Sequence, residues 1–184
     1  MRSTVLLAAT LLSAAGITTG APAVRTSDLG PDCATTIANF KSHDPSMHKF
    51  FETSAGYAVF PTITKAAIGI GGAHGDGLLF HHGHTIGQTD VSQVSVGLQL
   101  GAQGYSEIIF FETEEALNSF KNGNFSLDAR ASAVAVTSGV SADAKFSNGI
   151  AIFTATKGGL MYEASVGGQK FSYKPLSSTA STGN

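Results

Sequence analysis

Residues 55–77 read AGYAVFPTITKAAIGIGGAHGDG, and this stretch decides the fold class. It holds six glycines among aromatic and β-branched residues. Glycine is costly inside a strand unless the backbone must bend sharply or approach another strand closely. Aromatic and β-branched side chains favour a pleated, half-buried surface. Similar segments return at residues 96–101 and 157–162. The sequence therefore predicts an α+β protein that is mainly β, either a curved antiparallel sheet or a β-barrel-like fold.

About three short helices are predicted to pack on this sheet. Asp32 can cap the first helix, because an apolar stripe with helical spacing follows it. Asp44–Pro45 begins a second helix that runs to about Thr53, since Asp favours the N-cap and Pro the first helical position. The apolar face of this helix, with Met47 and Phe50, predicts a lid packed onto the sheet. A helix lying on a membrane surface is the alternative.

The remaining elements show clear boundary signals. Thr113 can cap a third helix that ends at Asn122–Gly123. Residues 91–100 alternate, which predicts one mostly apolar strand face with Val94 and one mostly polar face with Gln93. Two further hairpin turns are predicted at Asn148–Gly149 and Gly167–Gly168.

The N-terminal residues have the organisation of a secretory signal peptide. In residues 1–23, Arg2 precedes an apolar run that ends in small residues and is too short to span a bilayer. We expect residues 24–176 to form a single domain and residues 177–184 a disordered tail. The predicted location is the periplasm or cell envelope. Cys33 does not lie in a lipoprotein context, so no lipid anchor is predicted.

Composition and motifs argue against several function classes. The chain has 11 Lys and Arg against 13 Asp and Glu, so no basic surplus predicts nucleic-acid binding. The glycines at 69–72 are not followed by a predicted helix or by the lysine–serine pair of a phosphate-binding loop. The hydrolase signatures G-x-S-x-G and H-E-x-x-H do not occur in the sequence. We therefore predict no enzymatic activity, no catalytic residues and no cofactor.

The histidines form a second candidate site. Four of the six lie close together in sequence, namely His74, His81, His82 and His84. The spacing of His82 and His84 can place two imidazoles on one strand face, where they could bind Zn²⁺ or Cu²⁺. Asp76 and Asp90 are the carboxylates near them in sequence, and no cysteine joins them. Incidental surface histidines are the favoured interpretation, and no metal site is assigned. A weak histidine-dependent metal binder stays open as an alternative.

Lysines are concentrated near the C-terminus. Lys157, Lys170 and Lys174 lie in the final hairpin series, and Lys65 precedes a glycine-rich run. If the last strands lie beside the first, as closure of a barrel requires, these lysines share one surface. An ammonium group on a flexible stem suits lipid phosphates. Protection of sheet edges against aggregation is the alternative interpretation.

Several blocks of the sequence resemble the SYLF domain family. They are residues 55–61 with Lys65, residues 69–77, residues 96–103 and residues 157–160, in the order found in that family. Residues 160–173 resemble the secreted bacterial branch of the family. The resemblance implies a β-barrel-like sheet with packed helices that binds anionic phospholipids. Fungal members are also associated with actin filaments, which an exported bacterial protein would not meet.

The functional prediction combines the lysines with this resemblance. We expect an exported, non-enzymatic protein that contacts anionic lipid head groups through Lys65, Lys157, Lys170 and Lys174. Apolar residues at the rim of the sheet would assist these lysines. A structural or protein-interaction module of the cell envelope is the alternative function.

Overall fold

The computed structural model describes residues 26–68, 70–96, 101–123, 125, 127, 133–136, 139–156 and 166–176. The predicted signal peptide at 1–23 and the predicted tail at 177–184 lie outside the described residues. Lys157 also lies outside them.

The centre of the protein is one curved sheet. Its strands are β1 (Gly56–Ile68), β2 (Ile70–His81), β3 (His84–Val96), β4 (Gly101–Phe111), β5 (Val134–Ala135), β6 (Ile150–Thr156) and β7 (Lys170–Pro175). They lie in the order β5-β6-β4-β1-β2-β3-β7, and all neighbours are antiparallel except the short β5, which is parallel to β6. The curved antiparallel sheet is confirmed. The barrel alternative is wrong for the described strands, because β5 and β7 are separate edges and the sheet is not closed.

The glycine-rich first hairpin bends where the sequence predicts close approach. The pairing of β1 shifts between Phe60 and Ile63 on its β4 side and between Val59 and Thr64 on its β2 side. This bulge accommodates Pro61, which has no N–H to donate to a ladder. Across the hairpin, a Cβ at Gly77 would lie 2.8 Å from the Phe60 ring and would collide with the Val59 carbonyl oxygen. Only glycine allows this approach.

Three α-helices accompany the sheet: α1 (Thr26–His43), α2 (His48–Thr53) and α3 (Glu114–Lys121). The 3₁₀ helices Pro45–Met47 and Val140–Ala142 complete the helical elements of the described residues. Asp44 and Thr113 cap helices as predicted. The predicted cap at Asp32 is wrong, because α1 begins at Thr26 and Asp32 lies inside it. Burial of Leu29 against the sheet core supports this additional N-terminal segment of the helix.

Two apolar clusters hold these helices on opposite faces of the sheet. On the α1 face, Met47 and Phe50 are buried in one cluster with Phe110 of β4. The ring centre of Phe50 lies 5.5 Å from that of Phe110. The second helix is therefore a lid packed on the sheet, as predicted. On the α3 face, Leu117 and Phe120 of α3 pack into the other cluster.

Strand β3 alternates as predicted, but the face with Val94 is exposed to solvent and the face with Gln93 is buried. Val94 is 78% exposed, whereas Gln93 is 7% exposed. Gln93 lies on the α3 face, where its side-chain amide donates to the Gly167 carbonyl at 2.7 Å. The segment that begins at Val166 covers this part of the α3 face, and its backbone supplies an acceptor for the amide. On the α1 face, none of the described segments covers Val94 in this way.

Candidate functional site

Two of the predicted lysines lie together on β7, which is at one edge of the sheet formed by the described strands. Lys170 pairs with Ser92 of β3 and Lys174 pairs with Gln88, so both lie on the same side of their strand. Phe171, between them, is buried in the cluster on the α3 face. Lys170 and Lys174 therefore point to the α1 face, and both are exposed. Four residues along a strand separate them by about 13 Å.

The two lysines have different surroundings. Ser92, the register partner of Lys170, is followed two residues later by the exposed Val94 on the same strand face. Lys174 instead lines a small cavity of about 90 Å³ that also includes Asp76 and Asp90. Lys170 therefore has both Val94 and Asp90 as diagonal neighbours on β3, whereas Lys174 shares its cavity with two carboxylates.

Asp90 is also tied to β7. Ser172, between the two lysines, donates its hydroxyl to Asp90 Oδ1. Asp90 and Asp76 are register partners on β3 and β2. This carboxylate pair lies on the same face as the lysines, so that face carries both signs of charge.

Lys65 does not join this face. It lies on β1, and β2 and β3 separate β1 from β7. Lys65 Nζ lies 4.9 Å from the ring centre of Tyr105, which belongs to the cluster on the α3 face. The expected shared surface of Lys65 with Lys170 and Lys174 does not form, because β7 pairs with β3 and does not close the sheet against β1.

Beside Lys65 is a buried polar cluster. Glu107 of β4 is fully buried, and Gln169 donates its amide to Glu107 Oε2 at 3.1 Å and to the Tyr105 hydroxyl at 3.2 Å. Among the described residues, Glu107 Oε1 has no hydrogen-bond partner. Sequence reasoning included Glu107 in no site. The available signal was its position two residues before the buried Ile109, because residues two apart on a strand lie on the same face.

Burial dominates the electrostatics of this cluster. It raises the pKa of Glu107 to about 7, and the Gln169 hydrogen bond and the nearby Lys65 charge oppose that rise. Burial lowers the pKa of Lys65, with Glu107 acting in the opposite direction. The pKa of Tyr105 is raised, first by burial and then by the Glu107 charge. Tyr105, Glu107 and Gln169 are buried, and the half-buried Lys65 lies at the edge of this cluster.

A larger cleft lies between α1 and the sheet. Its volume is about 310 Å³, and its lining is Asp32, Thr35, Thr36, Asn39, Phe40, His43, Pro61, Ser106, Val136, Ala155 and Thr156. None of these residues is Lys or Arg. The hydroxyl and amide groups could accept a small polar ligand, but the described lining offers no lysine or arginine to a phosphate group.

The histidines gather differently from the predicted pair. His82 lies in the β2–β3 turn with φ 46°, and His84 begins β3, so His82 and His84 do not share a strand face. His81 and His82 instead approach Glu114 at the start of α3. His81 Nε2 lies 2.7 Å and His82 Nε2 3.6 Å from Glu114 Oε1. Sequence reasoning missed Glu114 because 33 residues separate it from His81 and only the fold joins them.

In the described part of the chain, no helix has both the length and the apolar character needed to cross a bilayer.

Comparison with known proteins finds a family profile that matches the C-terminal half and a relative that matches most of the chain. The profile of the family described as "Ysc84: Las17-binding protein actin regulator" matches residues 92–175. This range runs from within β3 to the end of β7. The chain is also 25% identical over 139 residues to Beta cell expansion factor A of Aeromonas veronii, which covers 74% of this chain. The chain spans 52% of the length of that relative.

Proposed function

We propose that this chain, a member of the Ysc84 (SYLF) family over residues 92–175, is a non-enzymatic protein that binds anionic phospholipid head groups. The family supports a binding role in general. The choice of phospholipid rests on the lysines of β7. We further propose that the protein acts after export, in the periplasm or cell envelope, because residues 1–23 have the pattern of a signal peptide.

One observation carries the proposal: Lys170 and Lys174 extend from one side of β7, and the exposed Val94 lies on the same face of the neighbouring strand β3. A lysine near an anionic bilayer surface contributes about 1 kcal/mol, so two lysines give weak and salt-sensitive binding. Val94 adds apolar contact at the level of the head groups. Asp90 is a diagonal neighbour of both lysines, but only Lys174 shares a cavity with Asp76 as well, so Lys170 is the stronger contributor in this proposal.

Vesicle flotation tests the proposal. Vesicles of phosphatidylcholine alone are compared with vesicles that also contain phosphatidylglycerol, at low and at high salt. We expect recovery of the protein with the anionic vesicles at low salt. Lys170→Gln should reduce recovery more than Lys174→Gln, and the double variant should lose most of it. The variant Lys157→Gln examines the remaining predicted C-terminal lysine separately.

Lys145→Gln is the matched control. Lys145 is exposed but lies before β6, near the opposite edge of the sheet. Equal recovery with neutral and anionic vesicles would overturn the proposal. So would an equal loss in Lys145→Gln and Lys170→Gln, since binding would then follow net charge alone. A folded protein that binds no vesicle and crosslinks to one specific envelope protein would favour the alternative of an interaction module.

A further inference from the structure

The β2–β3 turn and the first turn of α3 bring together three potential metal ligands. His81 ends β2, His82 lies in the turn, and Glu114 is the first residue of α3. One nitrogen from each histidine and one Glu114 oxygen all lie within 4.8 Å of one another. We propose that His81, His82 and Glu114 bind a divalent transition-metal ion. This site is independent of the lysines on β7.

The fold fixes the backbone of each ligand. His82 (φ 46°) and Gly83 (φ 80°) both have positive φ, as a two-residue hairpin turn requires. The His82 N–H donates to the Ala55 carbonyl at 3.3 Å. On the other side, the Thr113 hydroxyl caps α3 by accepting the Ala116 N–H at 3.3 Å, and Thr113 directly precedes Glu114. The ligands therefore extend from two anchored backbones and not from a free loop.

Close packing of α3 on the sheet brings Glu114 within hydrogen-bonding distance of His81. Gly56 of β1 is the register partner of His81. A Cβ at Gly56 would lie 3.0 and 3.1 Å from the two methyl carbons of Leu117, one turn after Glu114. The missing side chain at Gly56 thus lets α3 approach β1 next to His81.

The distances suit a small borderline cation. Two ligands of a tetrahedral zinc ion lie about 3.3 Å apart when each is about 2.0–2.1 Å from the metal. The observed separations of 2.7 and 3.6 Å from Glu114 Oε1 lie on either side of that value. Small side-chain rotations would therefore admit the ion. Two imidazoles and one carboxylate favour Zn²⁺, Cu²⁺ or Ni²⁺ over Mg²⁺ or Ca²⁺.

The three side chains are accessible from solution. The exposed side-chain fractions are 37% for His81, 68% for His82 and 50% for Glu114. An ion can enter without opening the fold, and water can occupy the remaining coordination positions. The competing explanation is an ion pair only, in which the His81–Glu114 hydrogen bond ties the turn to α3.

Calorimetric titration of the untagged full chain with Zn²⁺ separates these explanations. We expect one saturable site for Zn²⁺ and none for Mg²⁺. Glu114→Gln and His82→Asn should each weaken Zn²⁺ binding at least about tenfold, the loss that even removal of an outer-shell partner can cause. Asparagine is chosen at position 82 because it tolerates positive φ.

Two neighbouring residues provide matched controls. Glu115→Gln removes the adjacent carboxylate of α3, and His84→Asn removes the histidine that follows the turn. Both should leave Zn²⁺ affinity within about threefold, since neither side chain is one of the three proposed ligands and exposed surface substitutions are usually near neutral. Absence of saturable Zn²⁺ binding means an ion pair only and overturns the proposal. Equal weakening of Zn²⁺ binding in Glu115→Gln and Glu114→Gln, or in His84→Asn and His82→Asn, overturns it as well.

A spectroscopic measurement on the unmodified protein keeps the test valid if a variant does not fold. Paramagnetic resonance of the Cu²⁺-loaded chain should show coupling to two imidazole nitrogens. A spectrum without imidazole nitrogens, or one unchanged in a folded His82→Asn protein, would contradict the assignment.

Discussion

Glu107 places a carboxylate among buried aromatic side chains of the sheet. Its neighbours on the α3 face include Tyr105 and the register partner Phe60, and both are buried. Gln169 satisfies one oxygen, and none of the described residues bonds the other. Transfer of such a group from water favours its neutral form. A single residue therefore connects the interior of the protein to the pH of its surroundings.

The stability of the protein should decrease as the pH rises through the folded pKa of Glu107. The folded pKa of Glu107, about 7, lies above its ordinary value of 4.5. The folded state consequently binds the proton more tightly than the unfolded state. Its contribution to stability is fully present below pH 4.5 and is lost as the pH rises through 7. The difference corresponds to about 3 kcal/mol.

Glu107→Gln tests this dependence. The variant should be more stable than the wild type at pH 8 and should lack the decrease between pH 5 and pH 8, as measured by urea unfolding. Glu52→Gln, at an exposed position of α2, is the control and should follow the wild type. Parallel pH curves for wild type and Glu107→Gln would contradict the assigned role.

At the scale of elements, Asp44 joins two short helices. It caps the 3₁₀ helix Pro45–Met47 through the Ser46 N–H at 3.0 Å and accepts the Ser141 N–H at 2.7 Å. Ser141 belongs to the second 3₁₀ helix, 97 residues away. Burial disfavours the charge, but the hydrogen bonds from Ser46 and Ser141 hold the pKa of Asp44 well below its usual range.

Asp44→Asn should destabilise the protein by about 1–3 kcal/mol, because one accepting oxygen becomes an NH₂ group that faces a donor. The folded pKa lies below the ordinary 3.8, so the stabilisation by Asp44 is present above pH 3.8 and is lost as the pH falls further. Urea unfolding at pH 7 and pH 3 should show a smaller gap between wild type and variant at pH 3. Asp143→Asn, at an exposed position, should change neither value.

The contact between α3 and the sheet gives another prediction at this scale. In Gly56→Ala, the new Cβ would lie 2.5 Å from the Phe80 carbonyl oxygen in addition to its contacts with Leu117. We expect a loss of about 1–3 kcal/mol, since overpacking displaces neighbours. Gly30→Ala is the matched substitution with open space around it in α1. It should stabilise the protein by up to about 1 kcal/mol. Thermal unfolding that ranks Gly30→Ala below Gly56→Ala would refute this packing argument.

Local signals predicted elements better than they predicted exposure. The caps at Asp44 and Thr113 depend on neighbouring backbone, so the sequence was sufficient for them. The exposure of Val94 depends on which segments cover each face of β3, and among the described residues no segment covers Val94 on the α1 face. Polarity alternation alone could not reveal this.

At the scale of the whole molecule, strand order decides which candidate residues meet. The curved sheet followed from its glycines, whereas the position of β7 beside β3 required the complete topology. That position brings Lys170 and Lys174 to one face and keeps Lys65 three strands away. The meeting of His81 with Glu114 likewise depends on α3 crossing the sheet near Gly56. Such long-range contacts leave no periodic trace in a single sequence.

The same strand order has a consequence for biosynthesis. Strands β1–β4 occupy residues 56–111 and form the middle of the sheet, whereas β6 and β7, which cover their outer edges, lie at residues 150–156 and 170–175. A chain emerging from the ribosome therefore has the central strands before the strands that protect them. Until the last quarter is made, β3 and β4 present unpaired backbone groups to other chains. Nascent or prematurely ended chains would accordingly be the aggregation-prone forms of this protein.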